Sequence, residues 1–275
     1  YHGPLLHTLL DRFLAKEDKN GPALYFRADC LLKLGRTDDA RVAFERAGTA
    51  GQTANPWVWY GLSRVTYRNK ALEEAIEHAK KAQDLGPDEP ELAAWLGTVY
   101  RKAGRPAEGL GWHDKAALLG NDNASYQIER GYDLWLLARL PEMLAAFEKA
   151  RALDPTDAAA LKGLAAARTA LGAEAWKKGA TADAEAFFVG ALEVDPAYPI
   201  ARADLIVLRI AGGRLPEAET ALAAAPVEAA KHVDMLAATA LVRLVKGDID
   251  GALALVAAAR AGKTSLVAVV AQVEG

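Results

Sequence analysis

One short frame recurs seven times along the 275-residue chain. It consists of a turn residue, in all but one case a small residue five positions on, usually a bulky or aromatic one four further, and another small one three beyond that. It reads Gly35, Ala40, Phe44, Ala47; then Lys70, Ala75, Ala79, Ala82, with Pro87 closing; then Gly104, Gly109, His113, Ala116. It continues as Ala138, Met143, Phe147, Ala150, Pro155; Gly179, Ala184, Phe188, Ala191, Pro196; Gly213, Ala218, Leu222, Ala225; and Gly247, Ala252, Val256, Ala259. Successive frames start 35, 34, 34, 41, 34 and 34 residues apart. A period this regular requires one supersecondary unit used repeatedly. Before each turn lies an amphipathic stretch such as PELAAWLGTVYRKAG, whose Leu92, Trp95, Leu96, Val99 and Tyr100 follow helical spacing. After it comes a second, such as PEMLAAFEKARALDP, with Met143, Leu144, Phe147 and Leu153 near one face. Glycine at the turn permits the left-handed backbone that stops the first helix, and proline ends the second. Small residues such as Ala40, Ala75, Ala184, Ala218 and Ala252 let two helix backbones approach closely. One pair buries too little apolar surface to fold alone, so successive pairs must stack into a continuous core.

Composition agrees and narrows the function classes. Apolar residues are 52% of the chain but aromatics only 7%, so the apolar mass is mainly alanine and leucine, which favour helix. The net charge of −3 disfavours a nucleic-acid partner. The single Cys30 excludes an intramolecular disulfide and any cysteine-based zinc site; its surroundings, ADCLLKL, mark it as a structural thiol. The histidines at 2, 7, 78, 113 and 232 show no metal-ligand spacing and read as surface or packing residues. There is no strand pattern, GxGxxG or Walker-type loop, so neither an enzyme nor a cofactor is expected. No stretch approaches the roughly 18 apolar residues that cross a bilayer, and a soluble protein of cytoplasm or periplasm is expected. The chain opens at Tyr1 without a basic-then-apolar leader, which reads as a mature secreted form or an excised segment.

With its 34-residue period, its A…F…A…P frame and the run AAWLGTVYRKAG, containing Leu96-Gly97, Tyr100 and Gly104, the chain resembles the tetratricopeptide repeat family. Some units depart from the pattern: Arg27-Ala28 and Arg130-Gly131 replace Leu-Gly, His113 replaces the aromatic, Asn121 the proline, and Arg209 and Arg243 a tyrosine. The resemblance implies an all-α fold, an α-α superhelix built as a right-handed solenoid of antiparallel helix pairs, with about seven repeats over 21–260. Residues 1–20, with Leu5, Leu6, Leu9, Leu10, Phe13 and Leu14 on one face, read as a helix that caps the core or is half of a preceding repeat. Residues 261–275 read as a C-terminal capping helix. The 41-residue interval predicts a lengthened first helix near 156–178, about two turns longer than its neighbours. The segment GTAGQTANP, 48–56, reads as a longer polar loop.

The resemblance also implies that the first helix of each pair lines a concave groove. Spacing then places in it Tyr25, Asp29, Leu32 and Lys33; Trp57, Tyr60, Arg64, Tyr67 and Arg68; Glu91, Trp95, Thr98, Arg101 and Lys102; Ile128, Tyr132 and Trp135; and Trp176 and Lys177. From the sixth unit on, Ala203, Val207, Ile210 and Ala237 predict an apolar lining. The Lys and Asn pattern of the family's chaperone-binding members is not matched, since Tyr25, Asp29, Gly61, Glu91 and Trp95 occupy those places. The expectation is a non-enzymatic scaffold that takes a peptide or partner protein, with aromatic anchors and an acidic ligand met by Arg64, Arg68, Arg101 and Lys102. Self-association through the apolar sixth and seventh units is a further option. The rival expectation is a regulatory or assembly segment of a larger enzyme or of an envelope or polysaccharide-export machine.

Overall fold

The structure is a computed structural model, and it describes residues 3–261. The fold is all-α, and no strand occurs among the described residues. The chain divides into two compact units, Tyr1–Ala138 and Arg139–Gly275, where the sequence suggests one array over 21–260.

The first unit contains α1 (Gly3–Leu14), α2 (Gly21–Lys33), α3 (Thr37–Ala47), α4 (Pro56–Arg68), α5 (Leu72–Leu85), α6 (Pro90–Lys102), α7 (Pro106–Leu119) and α8 (Ala124–Leu136). The second contains α9 (Leu140–Leu153), α10 (Ala158–Lys177), α11 (Thr181–Val194), α12 (Pro199–Ala211), α13 (Leu215–Ala223), the short α14 (Val227–Ala230), α15 (Val233–Val245) and α16 (Ile249–Ala261). The expected C-terminal helix, beyond Ala261, lies outside the described residues.

The seven turn residues of the frame have one conformation. Gly35, Gly104, Gly179, Gly213 and Gly247 have φ between 70° and 83°, and the non-glycine members Lys70 and Ala138 adopt 61° and 55°. Around six of them the chain closes a Schellman turn. Arg36 N–H donates to Leu31 O at 3.0 Å, and Ala71 to Thr66, Arg105 to Tyr100, Ala180 to Ala175, Arg214 to Arg209 and Asp248 to Arg243 do the same. Helix starts are equally regular: the side chains of Asn20, Asn55, Asn123 and Asp157 accept the amides of Ala23, Trp57, Ser125 and Ala160 at 2.8–3.0 Å.

The bulky frame residue packs against a glycine of a first helix. A Cβ on Gly61 would stand 2.3 Å from the Phe44 ring, on Gly97 2.8 Å from His113 Nε2, on Gly163 2.1 Å from Phe147 and on Gly172 2.6 Å from Phe188. These contacts lock α3 to α4, α6 to α7, and α9 and α11 to α10. The cores around them hold Leu24, Leu31, Leu32, Val58, Leu62 and Val65, then Ile76, Leu96, Val99 and Tyr100, in the first unit. The second unit buries Leu205 and Leu208 with Phe188, and Ile206, Met235 and Val242 together.

Three expectations are corrected. Residues 48–52 do not form a loop: Gly48–Gln52 is a π-helical turn continuing α3, kinked where Gly51 takes φ 92°, and Asn55 then caps α4. The apolar face of α1 is split, for Leu14 packs on the α2–α4 core while Leu5, Leu6, Leu9 and Phe13 stay exposed. Leu32, Ile128, Ala203 and Ala237 belong to the core, not to a groove lining, because each is less than 7% exposed.

Candidate functional site

In the first unit, side chains of α2, α4, α6 and α8 meet along one face. Three residues of α4 and one of α6 form an aromatic ladder. Trp57 meets Tyr60 edge-on at 5.5 Å, Tyr60 meets Trp95 at 5.8 Å, and Trp95 meets Tyr67 at 5.2 Å, with interplanar angles of 73° to 83°. Edge-to-face packing sets the positive rim of one ring against the negative face of the next. The polar tips are pinned as well. Trp95 Nε1 donates to Ser63 Oγ at 2.7 Å, Ser63 in turn donates to the Ala75 carbonyl at 2.7 Å, and the Tyr60 hydroxyl donates to Glu91 at 2.9 Å. Burial, together with the Glu91 carboxylate, pushes the Tyr60 pKa far above the usual phenol range. Tyr25 sits beside the ladder, half-buried against Phe44 at 6.0 Å, and burial followed by the nearby Asp29 raises its pKa too.

Cations on this face are balanced within the chain. Arg64 lies 5.4 Å from the Tyr60 ring centroid and 3.5 Å from Asp29, which also pairs with Lys33 at 2.6 Å. Arg68 donates to the Leu32 carbonyl at the end of α2. Arg101 is 11% exposed, pairs with Glu129 and, at 3.5 Å, with Asp133, and stands 5.7 Å from the Tyr132 ring. Three of the four cations expected to meet an acidic ligand thus already have partners. Arg101 is nearly buried, which the two neighbouring carboxylates allow by neutralising it there. Lys102 is exposed, as is Trp135 at 54%.

Between α6, α7 and α8 is a polar cluster that spacing gives no reason to expect. His113 and Asp133 are fully buried and hydrogen-bonded through Nδ1, while His113 Nε2 lies 3.1 Å from the Ala94 carbonyl and 3.4 Å from Thr98 Oγ1. The one signal for it in the sequence is a histidine in the frame position that phenylalanine holds elsewhere.

The structure therefore gathers Tyr25, Tyr60, Arg64, Tyr67 and Trp95 into one cluster and Arg101 with Tyr132 into a second. It brings neither Arg68, which is tied to the Leu32 carbonyl, nor the exposed Lys102 and Trp135 into either cluster's ring and ion contacts, and Trp176 falls in the second unit. There Trp176 packs on Phe188, Leu205 and Leu208 and borders a cavity with Ala173, Lys177 and Asp204. Among the described residues no group of three or more His, Cys, Asp or Glu could hold a metal ion, and no helix is long and apolar enough to cross a membrane.

Sequence profiles described as "Tetratricopeptide repeat" match residues 7–56, 54–90 and 175–242, together more than half of the chain. The chain belongs to the tetratricopeptide repeat family. YrrB, described as a tetratricopeptide repeat protein with an unusual peptide-binding site, superposes with a TM-score of 0.57 at 19% identity, over 70% of this chain and 95% of YrrB. A tetratricopeptide repeat protein of Parabacteroides merdae gives 0.55 at 13% identity, over 92% and 96%. At these identities the likeness is one of fold. Anaphase-promoting complex subunit 3 of Schizosaccharomyces pombe is 24% identical over 100 residues, which is 36% of this chain and 15% of that subunit. As a tetratricopeptide repeat protein, the chain is in general kind a protein–protein interaction scaffold.

Proposed function

We propose that the face made by α2, α4, α6 and α8 is the concave surface on which this tetratricopeptide repeat protein receives an extended or helical peptide segment of a partner. The supporting observation is the Trp57–Tyr60–Trp95–Tyr67 ladder. Four large rings are partly exposed yet held by edge contacts and two hydrogen bonds, so they present apolar area at small further entropic cost on binding. Tyr25 and Tyr132 extend the surface to either side. Acidic residues of a ligand are accepted here by exchange: a carboxylate entering near Tyr60 takes the place of Asp29 on Arg64, and one near Tyr132 takes that of Glu129 on Arg101. Exchange conserves ion pairs, so charge sets register while the rings supply the affinity.

The test is selection of peptides from a random display library on the wild-type chain, followed by titration against variants. Tyr60→Ala and Trp95→Ala are each expected to weaken the selected peptides tenfold or more, and Arg64→Glu with Arg68→Glu to discard those whose Asp or Glu is met by Arg64. Peptides that bind all three variants as they bind the wild type would place the site elsewhere.

A further inference from the structure

Among the described residues of the second unit, one partly buried carboxylate has no partner. Asp204 lies on α12 beside the cavity of about 320 Å³ that it borders with Ala173, Trp176 and Lys177 of α10. Among the described residues no hydrogen-bond donor or cation engages it; the one charge that acts on it is Asp234, at the start of α15, which itself pairs with His232 at 3.1 Å. Other carboxylates on first helices are satisfied: Asp29 by Lys33 and Arg64, Glu91 by Tyr60, Glu129 and Asp133 by Arg101. Lys177 is exposed at the rim and leaves Asp204 unpaired. A partly buried carboxylate next to a second one is unfavourable until a cation arrives. The cavity's size lies within the range of roughly 300–1,000 Å³ usual for ligand sites. Its walls are an indole ring and an alanine methyl, which suit an aliphatic stem or a planar guanidinium.

We infer that this cavity binds a lysine or arginine side chain of a partner polypeptide, with the Asp204 carboxylate as its counter-ion, the Trp176 ring as the surface it lies against, and Asp234 adding negative potential behind. Charge complementarity selects the occupant, because Asp204 lacks the cation it needs and an anionic or neutral side chain supplies none. The site is separate from the aromatic face of the first unit and does not depend on it. It gives the chain a ligand preference opposite in sign to that expected from Arg64 and Arg101.

The experiment is an NMR titration of the full chain, following the Trp176 indole N–H, assigned with Trp176→Phe. The probes are acetyl-Gly-Arg-Gly-amide, its lysine counterpart and its citrulline analogue, the last matching arginine in shape without charge. Saturable shifts are expected with the arginine and lysine peptides and none with citrulline. Asp204→Asn, which removes the charge and keeps the side chain's shape, should cut affinity at least tenfold, and Lys177→Ala should tighten binding by removing a like charge from the rim. Tyr60→Ala should leave these titrations unchanged, so failure of the first-unit face is read separately. Equal shifts with citrulline, wild-type affinity in Asp204→Asn, looser binding in Lys177→Ala, or no saturable shift at all would overturn the inference.

Discussion

Two residues occupy a backbone conformation that suits glycine. Lys70 and Ala138 stand at the turn position that glycine fills five times, with the same positive φ. A side chain in that region costs about 1–2 kcal/mol. Lys70→Gly and Ala138→Gly are therefore each expected to raise stability by about 1 kcal/mol, less what glycine gains in unfolded-chain freedom, in urea denaturation; a fall in midpoint for both would refute the strain. Their conformation is legible in the sequence because the frame aligns them with Gly35 and Gly104. The partnership of His113 is not, since Asp133 lies twenty residues away on another helix and only packing brings them together. Removing the imidazole in His113→Ala leaves the Asp133 carboxyl buried with one long contact to Arg101, and breaking such a pair costs about 3–5 kcal/mol. His113→Phe with Asp133→Leu should recover most of that loss, because phenylalanine fills the equivalent place at 44, 147 and 188; thermal melts of the single and double variants decide it.

At the scale of the helix, the 41-residue interval finds its explanation in α10. On α4, the glycine that receives Phe44 from the preceding helix stands nine residues before the turn, and on α6 the one that receives His113 from the following helix stands seven before it. On α10 the corresponding notches are Gly163 for Phe147 and Gly172 for Phe188, nine residues apart where the other repeats imply two. The seven added residues thus lie between the two notches and offset α9 from α11 by about 10 Å along α10, at 1.5 Å per residue. Seven residues are close to two whole turns, so both notches keep their angular positions. Deleting residues 164–170 is accordingly expected to preserve a cooperative melt. Deleting five residues from the same place turns one notch by about 140° and should abolish it, as judged by circular dichroism. The extra length is countable from sequence; its placement between the notches is not, because it depends on which phenylalanine meets which glycine.

For the molecule as a whole, periodicity was enough to read the class of fold, since it depends on where helices stop and which faces are apolar. The proposed binding surfaces are only half legible, since spacing finds the first-helix positions of Tyr60, Arg64 and Trp95 but cannot tell an open cation from one already neutralised by Asp29 or Glu129. For the same reason spacing passes over Asp204, which has no partner among the described residues. That vacancy has a consequence for stability. Burial, then the charge of Asp234, raises the Asp204 pKa from its ordinary carboxylate value to about 7. The groups facing it are Lys177 from α10, Asp234 with His232 at the head of α15, and Tyr198 at the cap of α12; Glu185 of α11 pairs with Arg209 and Arg214, with Glu217 of α13 beside them. A group that holds its proton more tightly when folded favours the native state below its unfolded pKa. It loses that advantage as pH climbs from about 4 toward 7. His78, whose pKa burial lowers, acts in the opposite sense, so the bare pH profile mixes the two. The difference between the wild type and Asp204→Asn isolates the carboxylate. With partial solvent access allowed for, the variant should gain on the order of 1–2 kcal/mol over the wild type between pH 5 and pH 8 in urea denaturation. A saturating arginine peptide should erase that gain by stabilising the wild type alone, because the bound cation supplies what the fold withholds. A difference between the two proteins that stays constant across that pH interval would show that Asp204 is ionised throughout and already neutralised.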